Sequence, residues 1–273
     1  MHKAAVVFTL LIALSACGGG DGDLPPVESR SAQDLYLAAE QELQTGRPVN
    51  AGRLFDEVER LYPYSDWAKR AMIMSAFSYY DAKRFGEARA AAERYLDFYP
   101  ADEDAAYAQY LVALSHYDQI ADVTRDQTQT FDALQALRET IERYPDSDFT
   151  KSAELKFDLA LDHLAGKEME IGRYYLKKKH YTAAINRFRV VVQDFPTTRH
   201  TAEALHRLVE AHLSLGLTDE AQTAGAILGY NHQGTEWYQD SYALLTGQGL
   251  PLDAAGDNWL SRIYRQVIQG KWL

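Results

Sequence analysis

The feature that most constrains the fold of this chain is an aromatic residue followed by proline, which recurs four times. The four prolines are Pro63, Pro100, Pro145 and Pro196. The residue before a proline disfavours the α conformation, so each pair predicts the end of a helix. The next residues predict N-caps for a following helix: Ser65, Asp102, Ser147 and Thr197 or Thr198. The chain is therefore predicted to be a series of repeated helical units.

Positions counted back from each proline agree between the units. The residue twelve positions earlier is always small: Ala51, Ala88, Ala133 and Ala184. The residue eight positions earlier is always apolar: Phe55, Ala92, Leu137 and Phe188. In a helical repeat, a small residue lets two helices cross closely and a larger neighbour fills the groove between them. The prolines are about 37 to 51 residues apart, at or above the 34-residue tetratricopeptide period.

Further residues support the same assignment. Gly172 and Tyr175 occupy the "G-x2-Y" positions of the tetratricopeptide consensus. A fifth unit lacks the proline but keeps Leu205, Leu208 and Ala221. The sequence predicts an all-α protein, a right-handed superhelix (α-solenoid) of about five tetratricopeptide-like helix pairs. The third pair carries an insert over residues 116–131, and a long helical run begins at about Phe149.

The N-terminus predicts a cleaved and lipidated leader. A short basic start precedes an apolar run from Ala4 to Leu14, too short to span a bilayer. The next residues, Leu14-Ser15-Ala16-Cys17, resemble the lipobox of bacterial lipoproteins, with Cys17 as the acylated residue. An ordinary signal peptide with a chance cysteine is the alternative. Gly18 stands where an aspartate would signal inner-membrane retention in enteric bacteria, which favours the outer membrane.

Four segments follow from these patterns. Residues 1–16 are predicted to be the signal peptide, and residues 17–30 a lipidated flexible tether rich in Gly, Asp and Pro. Residues 31–247 form the predicted repeat domain. Residues 248–273 form a tail with an amphipathic helix, whose apolar face is Leu260, Ile263, Tyr264 and Val267.

Charge and motifs exclude several functions. The net charge of −11 disfavours nucleic-acid binding, because a polyphosphate backbone would be repelled. The chain contains no Gly-x-Ser-x-Gly elbow, phosphate loop or His-Glu-x-x-His motif. The sequence therefore predicts no enzyme, no metal site and no cofactor beyond the diacylglycerol and N-acyl chain on Cys17. A binding protein remains.

Several stretches resemble one family specifically. "YDQIADVTRDQ", "AGKEMEIGRYYL", "YTAAINRF" and "LGLTDEAQTA" are similar to stretches of the BamD (ComL) outer-membrane assembly lipoproteins. The resemblance covers the lipobox and nearly all of residues 31–247. It implies a lipid-anchored subunit on the periplasmic face of the outer membrane, within the β-barrel assembly machinery. The implied partners are the barrel insertase, other lipoproteins of the complex, and unfolded outer-membrane proteins.

The resemblance also implies roles for particular residues. Arg187, in "AAINRF", matches an arginine implicated in contact with the insertase. Lys177, Lys178 and Lys179 lie in the same repeat and extend this predicted docking surface; a solvated helix end is the alternative. Tyr62 matches a tyrosine at the substrate-binding end; an aromatic that packs before a helix-ending proline is the alternative, and the two are compatible.

Two other functions stay open at this point. The first is a periplasmic repeat scaffold that engages peptidoglycan or division proteins. The second is a cell-wall hydrolase, which would need a catalytic domain for which no residues are left over.

Overall fold

The computed structural model describes residues 26–251, 259–263 and 265. A short 3-10 helix, Val27–Ser29, precedes twelve α-helices in this part of the chain. Ten of them form five pairs, α1/α2 to α9/α10, and α11 and α12 follow. Their bounds are α1 Ala32–Gln44, α2 Pro48–Leu61, α3 Asp66–Asp81, α4 Phe85–Phe98, α5 Ala105–Tyr117, α6 Thr128–Arg143, α7 Thr150–Lys177, α8 Tyr181–Asp194, α9 Thr201–Ser214, α10 Thr218–Asn231, α11 Glu236–Gly247 and α12 Trp259–Ile263. The prediction of an α-solenoid of five pairs is confirmed.

The repeat positions deduced from sequence are the interior of the solenoid. All four alanines twelve residues before the prolines, and all four apolar residues eight before them, have no exposed surface. Gly172 shows why a small residue is needed: an added Cβ would lie 2.4 Å from Cε1 of Phe188. Gly52 packs against Tyr79 in the same way, with an added Cβ 2.9 Å from the ring. Close helix crossing therefore depends on these small side chains.

The turns between pairs share one conformation. Tyr62, Tyr99, Tyr144 and Phe195 each end a helix with φ between −134° and −130°. His232 ends α10 with φ −136° although no proline follows it. The aromatic-proline pair thus favours the turn, and the packing of the repeats produces it even without proline.

Only one of the predicted N-caps is confirmed. The Ser65 hydroxyl accepts a hydrogen bond from the Ala68 amide at 3.1 Å. Asp102 is not the N-cap of α5, since Asp104 holds that position. The Asp102 carboxylate accepts the Tyr95 hydroxyl at 2.5 Å and the Asp104 amide at 3.2 Å, and it pairs with Lys69. The N-caps of α7 and α9 are Phe149 and His200, so Ser147, Thr197 and Thr198 cap neither helix. The pKa of Asp102 lies below its usual range, chiefly because of the Lys69 ammonium and then the Tyr95 hydroxyl.

The turns within pairs need a left-handed residue. Gly46 and Gly216 adopt φ values of 74° and 72° there, as glycine does readily. Lys83 and Lys179 occupy the same position with φ values of 58° and 61°. The third pair differs, because α5 ends at Tyr117 and α6 begins at Thr128. The predicted insert is therefore a ten-residue loop, and the outer residues of the range 116–131 are helical.

Helix α7 joins two parts of the core. It has 28 residues, about twice the length of its neighbours. Ala153, in its first half, belongs to the apolar cluster built on α3–α6. Ala165 and Met169, in its second half, belong to the cluster built on α8–α12. One continuous helix thus carries the interior from the N-terminal repeats to the C-terminal repeats.

Both ends of the solenoid are closed by short segments. Val27 packs against the α1–α3 cluster, so the folded body includes residues from the end of the predicted tether. At the other end, Leu260 of α12 is fully buried in the C-terminal cluster, and Ile263 packs against that cluster. Tyr264 and Val267, also predicted on this apolar face, lie outside the described residues.

Buried histidines in the C-terminal half make stability dependent on pH. His212 is 3% exposed, and neither ring nitrogen has a hydrogen-bond partner. Burial lowers its pKa from 6.5, and burial also lowers the pKa of His206 and His232. The folded protein therefore binds fewer protons than the unfolded chain. The contribution of the neutral histidines to the free energy of unfolding is therefore fully present above about pH 6.5, and it is lost as the pH falls below that value.

We expect urea unfolding at pH 5.0 to show a lower free energy of unfolding than at pH 7.5, by up to about 1.4 kcal/mol per pH unit for each buried histidine. His212→Leu should reduce this loss, because a neutral side chain of similar size takes up no proton. His180→Gln, on an exposed turn, is the control. Equal pH dependence in wild type and His212→Leu would contradict the assignment to His212.

Candidate functional site

Tyr62 has a structural position at the N-terminal end. It ends α2, packs partly into the α1–α3 cluster, and donates its hydroxyl hydrogen bond to the Arg30 carbonyl. This bond holds the start of the folded body against the first repeat. Tyr62 does not line the cavity that lies beside it.

That cavity, here called the Tyr64 groove, lies between the second helices of the first two pairs. Its volume is about 690 Å³. Five of its lining residues are apolar or aromatic: Pro63, Tyr64, Met72, Phe98 and Tyr99. The Tyr64 side chain is fully exposed and that of Phe98 is 66% exposed. Two large aromatic rings are thus presented to solvent at the mouth of one groove.

The other lining residues of the Tyr64 groove are charged and pair with one another. Arg94 bonds to Glu59 at 3.1 Å and to Asp56 at 3.3 Å, and Arg60 pairs with Glu57 at 2.5 Å. Asp56 also accepts hydrogen bonds from Ser75 at 2.6 Å and Tyr79 at 2.7 Å. Three carboxylates therefore face two guanidinium groups, which makes this part of the groove ordered and slightly acidic.

Sequence reasoning selected Tyr62 and did not select the exposed aromatics Tyr64 and Phe98. The aromatic residue directly before each proline is half-buried because it ends a helix and packs on the next repeat. The neighbouring aromatic, Tyr64 after Pro63 and Phe98 before Tyr99, points outward. The sequence does show a second aromatic residue beside Tyr62 and beside Tyr99, and that second residue could have been considered as a binding residue.

The predicted docking residues share the α7/α8 hairpin. Arg187 is about 9 Å along α8 from its first residue, by the helical rise, and its side chain is 42% exposed. Its guanidinium bonds to Glu168 of α7 at 3.0 Å. Lys177, Lys178 and Lys179 lie at the turn of the hairpin, where all three are exposed. The structure thus places these four cations on one hairpin, with the lysines at its tip.

A second groove is lined by Glu168, the residue that pairs with Arg187. It has a volume of about 480 Å³ and is lined by Glu168, Lys167, Phe131 and Val190 among others. Phe131 is 61% exposed, and Lys167 donates to the Arg125 carbonyl at 2.7 Å. The sequence did not indicate this groove, because its residues come from α6, α7 and α8.

The remaining predictions concern the anchor and the chemistry. Cys17 lies outside the described residues. Within residues 26–251 and the short C-terminal helix, no helix is long and apolar enough to cross a membrane. In the same part of the chain, no group of three or more His, Cys, Asp or Glu side chains is placed to hold a metal ion.

Comparison with known proteins gives a consistent result. The family model YfiO, described as outer membrane lipoprotein, matches residues 28–227. The outer membrane protein assembly factor BamD of Caulobacter vibrioides is 44% identical over 96% of this chain and 89% of its own. BamD of Rickettsia prowazekii is 42% identical over 71% of this chain and 78% of its own. BamD of Neisseria meningitidis is 30% identical over 85% and 91%.

Among solved structures, that of Pseudomonas aeruginosa pilF covers 78% of this chain and 82% of its own. Its identity is 14% and its TM-score 0.34, a likeness that carries no weight here. The sequence matches, by contrast, extend over nearly the whole solenoid at high identity. The chain belongs to the YfiO family of outer membrane lipoproteins, the family of the BamD assembly factors.

Proposed function

We propose that this protein is a non-catalytic, lipid-anchored subunit of the machinery that assembles β-barrel proteins in the outer membrane. It holds an unfolded barrel protein at its N-terminal repeats and docks on the barrel insertase through its C-terminal repeats. The family match supports the assembly role. The Tyr64 groove supports the proposed binding of unfolded substrate, because it presents exposed aromatic rings beside paired charged side chains.

The chemistry of the Tyr64 groove suits one face of an unfolded barrel strand. Such strands alternate apolar and polar residues and carry aromatic residues at their ends. Tyr64 and Phe98 offer apolar area to that face. The two arginines that line the groove, Arg60 and Arg94, are already paired with acids, so neither is a free cation for a chain-terminal carboxylate. Recognition therefore rests on side chains of the strand rather than on its free end.

Replacing Tyr64 and Phe98 together by alanine should weaken binding of a peptide copied from the last strand of a barrel protein by about tenfold or more, since each lost aromatic contact is worth about 0.5–1.5 kcal/mol. Fluorescence anisotropy with a labelled peptide measures this. The same peptide with an amidated C-terminus should bind equally well or better. Tyr230→Ala is the matched control, because Tyr230 is 64% exposed on α10. Equal affinities for wild type and the double variant would refute the groove.

The α7/α8 hairpin is the proposed docking surface for the insertase. Arg187 is half-exposed and reaches solvent beside its bond to Glu168. Lys177, Lys178 and Lys179 add three exposed cations at the tip. On a chain of net charge −11, such a local basic patch favours an acidic partner surface.

Arg187→Glu should lower the amount of insertase that co-purifies with the protein by about tenfold or more at moderate salt, since it reverses the charge at the interface. The new glutamate would also lie against Glu168 and repel it. A second variant must therefore separate this local repulsion from the loss of insertase binding. The exchange Arg187→Glu with Glu168→Arg restores the internal pair, and should still fail to recover the insertase if Arg187 makes the contact. Arg53→Glu, exposed on α2, controls for net charge. Full recovery with the exchanged pair would mean that Arg187 is only structural.

A further inference from the structure

We infer that the loop between α5 and α6 is a positioning element, which supports the middle of α7 and fixes the angle between the N-terminal and the C-terminal repeats. This α5–α6 loop comprises residues 118–127, whereas the turn within each of the other four pairs has three residues. The helix that follows the pair is α7, the long helix that joins the two halves of the core. The long loop and the long helix are therefore neighbours in the chain, and they are also in contact.

The middle of α7 needs support because the apolar interior is thin there. One large cluster is built on α3–α6 with the start of α7, and the other on α8–α12 with its second half. Between them lies a small cluster with three buried residues, Leu134, Ala160 and Leu164. The first helices pack side by side from α1 to α7 and again from α9 to α11, whereas α7 and α9 are joined by the ion pair of Arg173 with Glu203. Few apolar contacts therefore fix the direction of α7 between the two clusters.

The α5–α6 loop covers this thin part of the interior. Ile120 of the loop packs against the small cluster. Val123 approaches the helix at a glycine, since a Cβ added to Gly166 would lie 3.8 Å from Cγ1 of Val123. At the next position of the helix, Nζ of Lys167 donates a hydrogen bond of 2.7 Å to the Arg125 carbonyl. The loop thus holds α7 by apolar contacts and by a hydrogen bond at consecutive residues.

The turn between α8 and α9 holds the same stretch of α7. Asp162 pairs with Arg199 of that turn at 2.9 Å, and Nε2 of His200 lies 3.6 Å from the same carboxylate. The Cβ added to Gly166 would also lie 3.3 Å from Nε2 of His200. The loop, α7 and the turn surround a cavity of about 380 Å³. Because packed side chains do not fill this space, the contacts around Gly166 decide how the two halves are oriented.

Hydrogen bonds give the α5–α6 loop a fixed shape of its own. Gln127 is buried, and its side chain donates to the Arg125 carbonyl at 3.0 Å and accepts from the Thr130 hydroxyl at 3.0 Å. Asp122 accepts the Thr124 amide at 2.9 Å. A loop with such internal bonds can resist a movement of α7, which a flexible connection could not do.

The consequence for assembly rests on the proposed function. The Tyr64 groove belongs to the first two pairs, and the tip of the α7/α8 hairpin lies beyond Gly166 on α7. The α5–α6 loop therefore sets the angle between the substrate groove and the docking surface. The angle itself is measured without either partner, so failure of the proposed function and failure of this inference give different results.

The test measures the distance between the two halves by double electron–electron resonance in the full-length lipoprotein. Spin labels are attached to p-acetylphenylalanine in place of Ala90 on α4 and Tyr230 on α10, both of which are exposed. This chemistry leaves Cys17 unlabelled. A second pair of labels, in place of Arg53 and Ala90, reports on the N-terminal half alone.

Two variants disturb the contact of the loop with α7 in different ways. Ile120→Ala, Val123→Ala and Lys167→Met together weaken it, and should make the distribution of distances between the halves at least about twice as wide, because a segment with fewer contacts samples more orientations. Gly166→Leu should instead shift the mean distance by several ångström, because its side chain displaces the loop and His200. All four positions are partly exposed, so folded protein is expected in circular dichroism. If the triple variant fails to fold, Gly166→Leu decides the test.

Lys151→Met and Leu155→Ala are the matched controls, at exposed positions of the same helix. Lys151 lies about 22 Å along α7 from Gly166, so the α5–α6 loop is unaffected. Both controls should give the distribution of the wild type. Wild-type distances in the triple variant and in Gly166→Leu would overturn the inference. It would equally be overturned by the same change in the controls, or by an equal broadening between the two labels of the N-terminal half.

Discussion

Replacing Phe188 by alanine is expected to destabilise the C-terminal repeats by about 3–5 kcal/mol. The Phe188 side chain has no exposed surface and lies at the centre of the C-terminal cluster, against Gly172. Alanine removes the ring and leaves a cavity that rigid neighbouring helices cannot close. Urea unfolding followed by tryptophan fluorescence measures the loss, because Trp237 and Trp259 pack against this cluster. Phe98→Ala, at an exposed phenylalanine, should change stability by a few tenths of a kcal/mol.

A second variant tests whether the close crossing explains this sensitivity. Gly172→Ala should destabilise the protein by about 1–3 kcal/mol, because the new methyl group would overlap the Phe188 ring. In a Phe188→Ala background the same change should be tolerated, since the ring is gone. Gly86→Ala, where nothing lies within 4 Å, should stabilise α4 by up to about 1 kcal/mol. Additive effects of Gly172→Ala and Phe188→Ala would contradict a direct contact.

Replacing Cys17 by serine is expected to release the protein from the membrane fraction into the soluble periplasm. Serine lacks the sulfur that the acyl chains require, and several acyl chains on one residue give an effectively permanent anchor where a single chain gives only marginal binding. The proposed attachment is the lipid on Cys17. Fractionation followed by immunoblotting measures the distribution.

Ser15→Ala is the matched control for the anchor, because it exchanges one small residue for another before the predicted cleavage site. That variant should stay in the membrane fraction. If the Cys17→Ser protein also stays there after a salt wash, the lipid is not the sole attachment. A released variant that still binds the barrel-strand peptide would show that anchoring and substrate binding are separable.

The repeat pattern made the fold predictable, and local turn chemistry was less reliable. Twelve- and eight-residue offsets from proline identified the buried positions, because each repeat must place the same side chains at the same helix crossing. The N-caps were correct only at Ser65. Asp102 instead bonds to Tyr95, seven residues earlier on α4, and to Lys69, which is 33 residues away in sequence. A capping pattern reports only local hydrogen bonds and cannot register such competitors.

Some residues of the candidate sites were identified from the sequence, and others were found only in the structure. Arg187 and the three lysines were found from sequence and share one hairpin, although their contact with a partner stays a prediction. Tyr62 was chosen because it matches a family tyrosine, and its substrate role stays a prediction. In the structure its ring packs partly into the α1–α3 cluster and its hydroxyl donates to the Arg30 carbonyl. Tyr64 and Phe98, which do line the groove, were overlooked because exposure of an aromatic ring depends on the neighbouring repeat.

The sequence by itself determined that this protein is a series of helix pairs, that four of its helices end at an aromatic residue before proline, and which small and large residues meet at those crossings. Those properties follow from local backbone preference and from a repeated spacing, both of which are written along the chain. Tertiary structure alone decided which aromatics face solvent and that Leu155 and Leu159 of α7 are exposed. It also decided that Asp102 bonds to Lys69 and Tyr95 instead of capping a helix. The physical reason is that grooves arise between elements far apart in sequence. Their exposure depends on the angle and offset at which one repeat packs on the next, and no local pattern encodes that geometry.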